Sequence, residues 1–130
     1  MTIKPGEHGS TYGGNPLACK VAMAALHVLQ QEHMADNAAR MGERFRLGLT
    51  ALQSPYIETV RGKGLLNAIV IKHSDSEAAW KLCMEMMKNG LLAKPTHGDK
   101  IRFAPPLIIN EKQIDEAIQI ISKSLEVLNN

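Results

Sequence analysis

The chain has 130 residues, 45% of them hydrophobic, a formal net charge of +2 at pH 7 and two cysteines. That length and apolar content suit one modest core with an attached arm and do not suggest a membrane span, while charges dispersed without a polybasic block argue against nucleic acid or an anionic membrane as partner. Cys19 and Cys83 sit in helical patterns without metal-ligand spacing, so both are expected as buried, reduced thiols rather than a disulfide or a zinc site.

The first landmark is His8-Gly9-Ser10-Thr11-Tyr12-Gly13-Gly14-Asn15-Pro16-Leu17. Ser10 and Thr11 offer hydroxyl donors. Gly9, Gly13 and Gly14 allow close backbone approach or positive φ, and Asn15-Pro16 supplies an N-cap followed by proline at the first helical position. The helix start adds N–H groups that have no partner inside the helix, so the segment is suited to holding an anion. Its spacing matches neither a Walker A loop nor the Gly-x-Gly-x-x-Gly fingerprint. On the residues alone, an ordinary glycine-rich loop and a phosphate site stay equally open.

A first helix is predicted from about Pro16 to His33, with Leu17, Val21, Ala24 and Val28 on one face, and a second from about Ala35 to Gln53, with Ala38, Met41, Phe45, Leu49 and Leu52 on one stripe. Ser54-Pro55 stops it. Tyr56 to Arg61 and Leu65 to Lys72 read as strands separated by Gly62-Lys63-Gly64. Ser74 with Glu77 forms a possible capping box for a helix through Ala78, Leu82, Cys83 and Met86, with Trp80 as a packing residue and Asn89-Gly90 at its end. Leu91 to Lys94 and Lys100 to Ala104 read as short strands around a Thr96-His97-Gly98-Asp99 turn, and Pro105-Pro106 ends the second. Asn110 with Gln113 repeats the capping pattern ahead of a last helix whose Ile114, Ala117, Ile118, Ile121, Leu125 and Leu128 face inward. The sum is an α/β fold with helices packed on a small, largely antiparallel sheet.

Arg102 is the second candidate for chemistry. It alternates with Ile101 and Phe103 in a short strand and so faces away from them, and its guanidinium is a planar fork that matches a carboxylate. On periodicity alone such a face is simply solvent. His8, His27, His33, His73 and His97 form no recognised metal motif, Lys63 reads as a water-exposed turn lysine, and no Gly-x-Ser-x-Gly elbow is present.

Taken in order, His8 to Ala18 (HGSTYGGNPLA), RGKGLL at 61–66, GLLAKP at 90–95 and IRFAPPL at 101–107 resemble the carboxy-terminal third of the fold-type I, class III pyridoxal-phosphate aminotransferases. RGKGLLNAI and GLLAKPTHGDKIRFAPPL are most similar to the branch acting on ornithine, and acetylornithine and 4-aminobutyrate aminotransferases resemble the same segments. The resemblance implies a large-domain loop and helix over residues 1–33 and a small carboxy-terminal α/β domain over 34–130. It implies that Ser10 and Thr11 contact the phosphate of pyridoxal 5'-phosphate, in a site shared across a homodimer, and that Arg102 binds the carboxylate of the 2-oxo acid or amino-acid partner. An upstream glutamate is expected to mask Arg102 while ornithine reacts. The lysine that carries the cofactor and the acid beside its pyridinium nitrogen also lie upstream in that family. None of the ten lysines here has that context, so the chain is expected to hold no catalytic residue and no transaminase activity alone. The parent is expected in the mitochondrial matrix or the cytoplasm. From the residues without the resemblance, a non-catalytic α/β binding or assembly module stays open.

Overall fold

The computed structural model describes residues 2–129, which divide into two compact units, one ending at His33 and one starting at Met34. In the first unit a loop leads into helix α1 (Pro16–Gln31). The helix begins where the sequence places it: Asn15 Oδ1 accepts from the Ala18 N–H at 2.9 Å, and Pro16 takes the first helical position, where its missing N–H costs nothing. The face expected to pack is not buried, because α1 has no buried residue and Leu17 is 75% exposed. A single helix with its loop has no second layer to lie against within the unit. Cys19, on this helix, is exposed rather than buried for the same reason.

The second unit runs α2 (Met34–Ala51), β1 (Ile57–Lys63), β2 (Leu66–Ile71), α3 (Ala78–Lys88), β3 (Lys94–Thr96), β4 (Lys100–Phe103) and α4 (Glu111–Ser124), then a closing 3-10 turn at Leu125–Asn129. The strands form one antiparallel sheet in the order β1-β2-β4-β3. Cross-strand partners Val60, Ile69, Ile101 and Pro95 form a row on the face that meets the helices. Ile69 and Ile101 from that row, with Phe103 one pleat on, join Met41, Phe45 and Leu49 of α2, Leu82 and Met86 of α3 and Ile114 and Ile121 of α4 in a single buried cluster. Phe45 and Phe103 meet edge to face, 5.3 Å between centroids, a geometry that adds about 0.5–1.5 kcal/mol beyond area burial. The predicted inward stripes of α2 and α4 are those observed, although Ala117 and Ile118 are only half-buried and Leu52, also half-buried, lies just past the end of α2.

Local chemistry explains where the elements depart from expectation. The Ser74–Glu77 box does not form, since Asp75 lies closer: its Oδ1 accepts from the Glu77 N–H at 2.8 Å, and Oδ2 accepts from Lys81 Nζ at 2.6 Å. The Asn110–Gln113 box does form, reciprocally, at 3.0 and 3.1 Å. Strand β3 starts at Lys94 rather than Leu91, because the Leu91 N–H bonds back to the Met86 carbonyl while the Gly90 N–H reaches Met87. With Gly90 at φ +96°, this is a Schellman close of α3 that removes Leu91 from strand pairing. Trp80 is 56% exposed. It lies off the Ala78, Ala79, Leu82, Cys83, Met86 stripe and is not a packing residue of this core. Strand β1 runs on through Gly62 and Lys63, so the turn is only Gly64-Leu65.

Helix α2 approaches that turn with no room to spare. A Cβ on Gly42 would stand 1.8 Å from the Gly64 carbonyl oxygen, whereas one on Gly48 would meet the movable Cδ1 of Ile118 at 2.3 Å. Gly42→Ala should therefore destabilise by about 3 kcal/mol or more, at or beyond the upper end of ordinary overpacking, with backbone as the obstacle. Gly48→Ala should stay within about 1 kcal/mol of wild type, because the helix propensity gained offsets the displaced Ile118 side chain. Urea unfolding of both variants checks this, and equal losses would remove the special closeness at Gly42.

Burial also separates the two cysteines. Desolvation pushes the Cys83 thiol up to about 11, and the thiolate is the reactive form. Iodoacetamide at pH 8 should label the folded chain once, at Cys19, and twice in denaturant, as read by intact mass. Labelling at both thiols without denaturant would contradict the buried placement of Cys83.

Candidate functional site

The glycine-rich loop folds back on the start of α1. Ser10 Oγ accepts the Gly13 N–H at 2.9 Å, and the Tyr12 carbonyl accepts from both the backbone N–H and the side-chain amide of Asn15, at 3.3 and 2.8 Å. Gly14 lies at φ +77°, which a side chain would resist. Because Ser10 Oγ is the acceptor of its loop bond, its O–H remains to donate, and Thr11 makes no hydrogen bond among the described residues. Both residues are exposed. Two adjacent hydroxyls beside a capped helix start form a donor set that fits a phosphate dianion.

Arg102 stands on the sheet face opposite the helices. Its neighbours Ile101 and Phe103 are buried while it is exposed, as strand alternation predicts. Its cross-strand partners are Ala68 on β2 and Lys94 on β3, and the partner of Ala68 on β1 is Arg61. Arg61, Ala68, Arg102 and Lys94 thus form one row across all four strands. A groove of about 410 Å³ lies on this face, lined by Arg61, Lys63, Ala68, Lys100 and Arg102 among others. The methyl group of Ala68 leaves the space between the two guanidinium-bearing strands open.

Lys100 is tied to Asp99, whose carboxyl is held below the usual range first by its hydrogen bond to Lys100, with Arg61 adding to the effect. Arg61, Lys63, Lys94 and Arg102 form no ion pair among the described residues. The fork of Arg102 is therefore free to take a carboxylate in two parallel hydrogen bonds. The glycine-rich loop belongs to the first unit and the Arg102 face to the second.

Sequence reasoning missed two features here. The sequence marks Lys94 only as a strand residue with no part in a site, and only the β3–β4 register reveals it opposite Arg102. Arg46 lies off the apolar stripe of α2 and carries no sequence expectation of a role. Its Nη1 donates to the Gly64 carbonyl at 3.0 Å and to Asn67 Oδ1 at 2.8 Å, locking the turn beside the row. No local signal marks that contact, because its partners lie 18 and 21 residues away.

Residues 1–125 match the aminotransferase class-III family. The chain is 59% identical over 125 residues to the mitochondrial ornithine aminotransferase of Rattus norvegicus and 61% identical over 125 residues to that of Drosophila melanogaster, in each case across 96% of this chain and 28% of the relative. Among solved structures, the acetylornithine aminotransferase from Elizabethkingia anophelis aligns with a TM-score of 0.86 at 54% identity, covering 96% of this chain and 33% of that one. The ornithine aminotransferase from Toxoplasma gondii aligns with a TM-score of 0.85 at 45% identity, covering 97% and 30%. The chain spans less than a third of the length of the curated relatives it matches. Its helices and four-stranded antiparallel sheet are those of a part of a fold-type I aminotransferase. By the match of residues 1–125 and by these likenesses, the chain belongs to the aminotransferase class-III family.

Proposed function

We propose that the chain is the carboxy-terminal part of a pyridoxal-phosphate-dependent ornithine aminotransferase, which moves the δ-amino group of L-ornithine to a 2-oxo acid and yields glutamate 5-semialdehyde and an L-amino acid. The observation that carries this reading is the unbroken likeness to ornithine aminotransferases, at 59% and 61% identity over 125 residues. Residues 1–33 would be the phosphate loop and connecting helix of the large domain and residues 34–130 the small domain, a division supported by the change of compact unit after His33. The mitochondrial names of the rat and Drosophila relatives support a mitochondrial location, which we read as the matrix, with the cytoplasm as the alternative. No helix among the described residues is long and apolar enough to cross a membrane.

In this reading Ser10 and Thr11 donate hydroxyl hydrogen bonds to the cofactor phosphate, which is held mainly by the other subunit of a homodimer. When bound, the cofactor supplies the electron sink for amino transfer. Arg102 receives the α-carboxylate of the 2-oxo acid in its fork and so sets the angle at which the 2-oxo carbon is presented. An upstream glutamate pairs with Arg102 when ornithine enters by its δ-amine, which keeps the guanidinium from drawing in the wrong end of the donor.

The 54% identity to the acetylornithine enzyme supports a second donor, N-acetylornithine. Comparing kcat/KM of the full-length protein for ornithine, N-acetylornithine and 4-aminobutyrate decides between them, and preference for either of the last two would overturn the ornithine reading.

Two outcomes are expected. The 130-residue chain, incubated with pyridoxal phosphate and reduced with borohydride, should show no stoichiometric lysine adduct by intact mass. A one-to-one adduct at a single lysine would refute the upstream placement of the cofactor lysine.

In the full-length enzyme, Arg102→Lys keeps the charge but loses the fork, so the 2-oxo-acid half-reaction should fall roughly tenfold to a hundredfold, from the loss of about 1.5–3 kcal/mol of charged hydrogen bonding. The ornithine half-reaction should fall less. Single-turnover rates for each half check this, with equal losses assigning Arg102 a structural role.

A further inference from the structure

Lys94 and Arg102 are directly opposed on antiparallel strands, on the same exposed face of the sheet, and neither has a carboxylate partner among the described residues. Adjacent strands lie about 4.8 Å apart, and like charges placed directly opposite each other destabilise a sheet. On its other side Arg102 faces only the methyl group of Ala68. The two cations thus stand side by side on one exposed face, where a carboxylate lying over both strands would meet both charges.

An exposed lysine on the edge strand β3 would serve equally well to discourage strand addition. That use, however, makes no demand on the register that places it against Arg102.

We propose that Lys94 is a second carboxylate-binding residue, holding jointly with Arg102 the carboxylate of the 2-oxo acid. The proposal rests on the reading of Arg102 given above. It gives the site a net charge of +2 toward one carboxylate, with the Arg102 fork setting orientation and the Lys94 ammonium adding attraction and a third hydrogen-bonding partner. The same pairing favours dianionic over monoanionic oxo acids in encounter, since the unpaired cations Arg61 and Lys63 lie on the same face.

The test uses the full-length holoenzyme and glutarate, an unreactive dicarboxylate, with binding followed by calorimetry at two salt concentrations. Lys94→Gln should weaken glutarate binding by about fivefold to tenfold, the scale of one charged hydrogen bond discounted for exposure. It should also lower the salt dependence and raise KM for the 2-oxo acid more than it lowers kcat. Lys94→Arg should restore binding to within about twofold, since the charge is what the joint site requires. Without glutarate, Lys94→Gln should melt no lower than wild type, because a like-charge contact is removed. Lys112→Gln, on α4, is the control for loss of an exposed lysine, and Lys94→Ser replaces Lys94→Gln should that variant fail to fold.

Wild-type glutarate affinity in Lys94→Gln or Lys94→Ser, alongside weakened affinity in Arg102→Gln, overturns the role of Lys94 and leaves that of Arg102. Wild-type affinity in the Lys94 and Arg102 variants alike overturns both.

Discussion

The open face of the sheet depends on how closely α2 seats against the β1–β2 turn. Gly42 brings the helix backbone onto the Gly64 carbonyl, and Arg46 reaches over from the next turn of the helix to bond that carbonyl and Asn67 Oδ1. Asn67, 2% exposed, closes the arrangement by donating its own amide to Gly64 at 3.1 Å. A buried amide must find partners or lose stability, so Asn67 can occupy only the strand position that points to the helices. Ala68, next in line, must then point outward. Since strand side chains alternate with period two, a one-residue slip would exchange the two faces and carry the cationic row into the core.

Charge is distributed unevenly over the two faces that result. On the helical side, Arg44 forms a two-pronged pair with Asp115, at 2.9 and 2.7 Å, and Lys81 and Lys88 meet Asp75 and Glu85. These contacts join or brace helices, but their exposure to water keeps each of them weak. The core cluster, with the edge-on Phe45–Phe103 pair inside it, holds α2, α3 and α4 to the sheet. The opposite face keeps four cations without ion-pair partners among the described residues, within a chain whose formal net charge is only +2. A single net-charge figure conceals that asymmetry, and recognition of small anions depends on it.

What was legible in the sequence was local. The Asn15-Pro16 helix start, the Asn110–Gln113 box and the stripes of α2 and α4 follow from side-chain chemistry within one or two turns. The outward facing of Arg102 follows from its two apolar neighbours. The Ser74–Glu77 box was lost to Asp75, a competing carboxylate acceptor one residue nearer the helix than the Ser74 hydroxyl. Trp80 and Cys19 show the limit of reading apolar residues as buried: exposure is decided by which layer lies beside them, and periodicity does not carry that information. For the candidate site, Ser10, Thr11 and Arg102 were visible as donor types in context, whereas the row joining Arg61, Ala68, Arg102 and Lys94 is a property of register between strands up to 41 residues apart in number, Arg61 to Arg102.

The strand order β1-β2-β4-β3 is two hairpins laid side by side, with α3 in the connection between them. Each hairpin closes a short loop and can form in microseconds, while joining β2 to β4 must first close the much longer segment that contains α3. The opposition of Lys94 and Arg102 is a local contact, made inside one hairpin. The approach of Arg61 to Arg102 across Ala68 depends instead on the pairing of the two hairpins through β2 and β4. The cationic face is therefore hierarchical in loop length, with one opposition closed by a short turn and the other by the segment that carries α3.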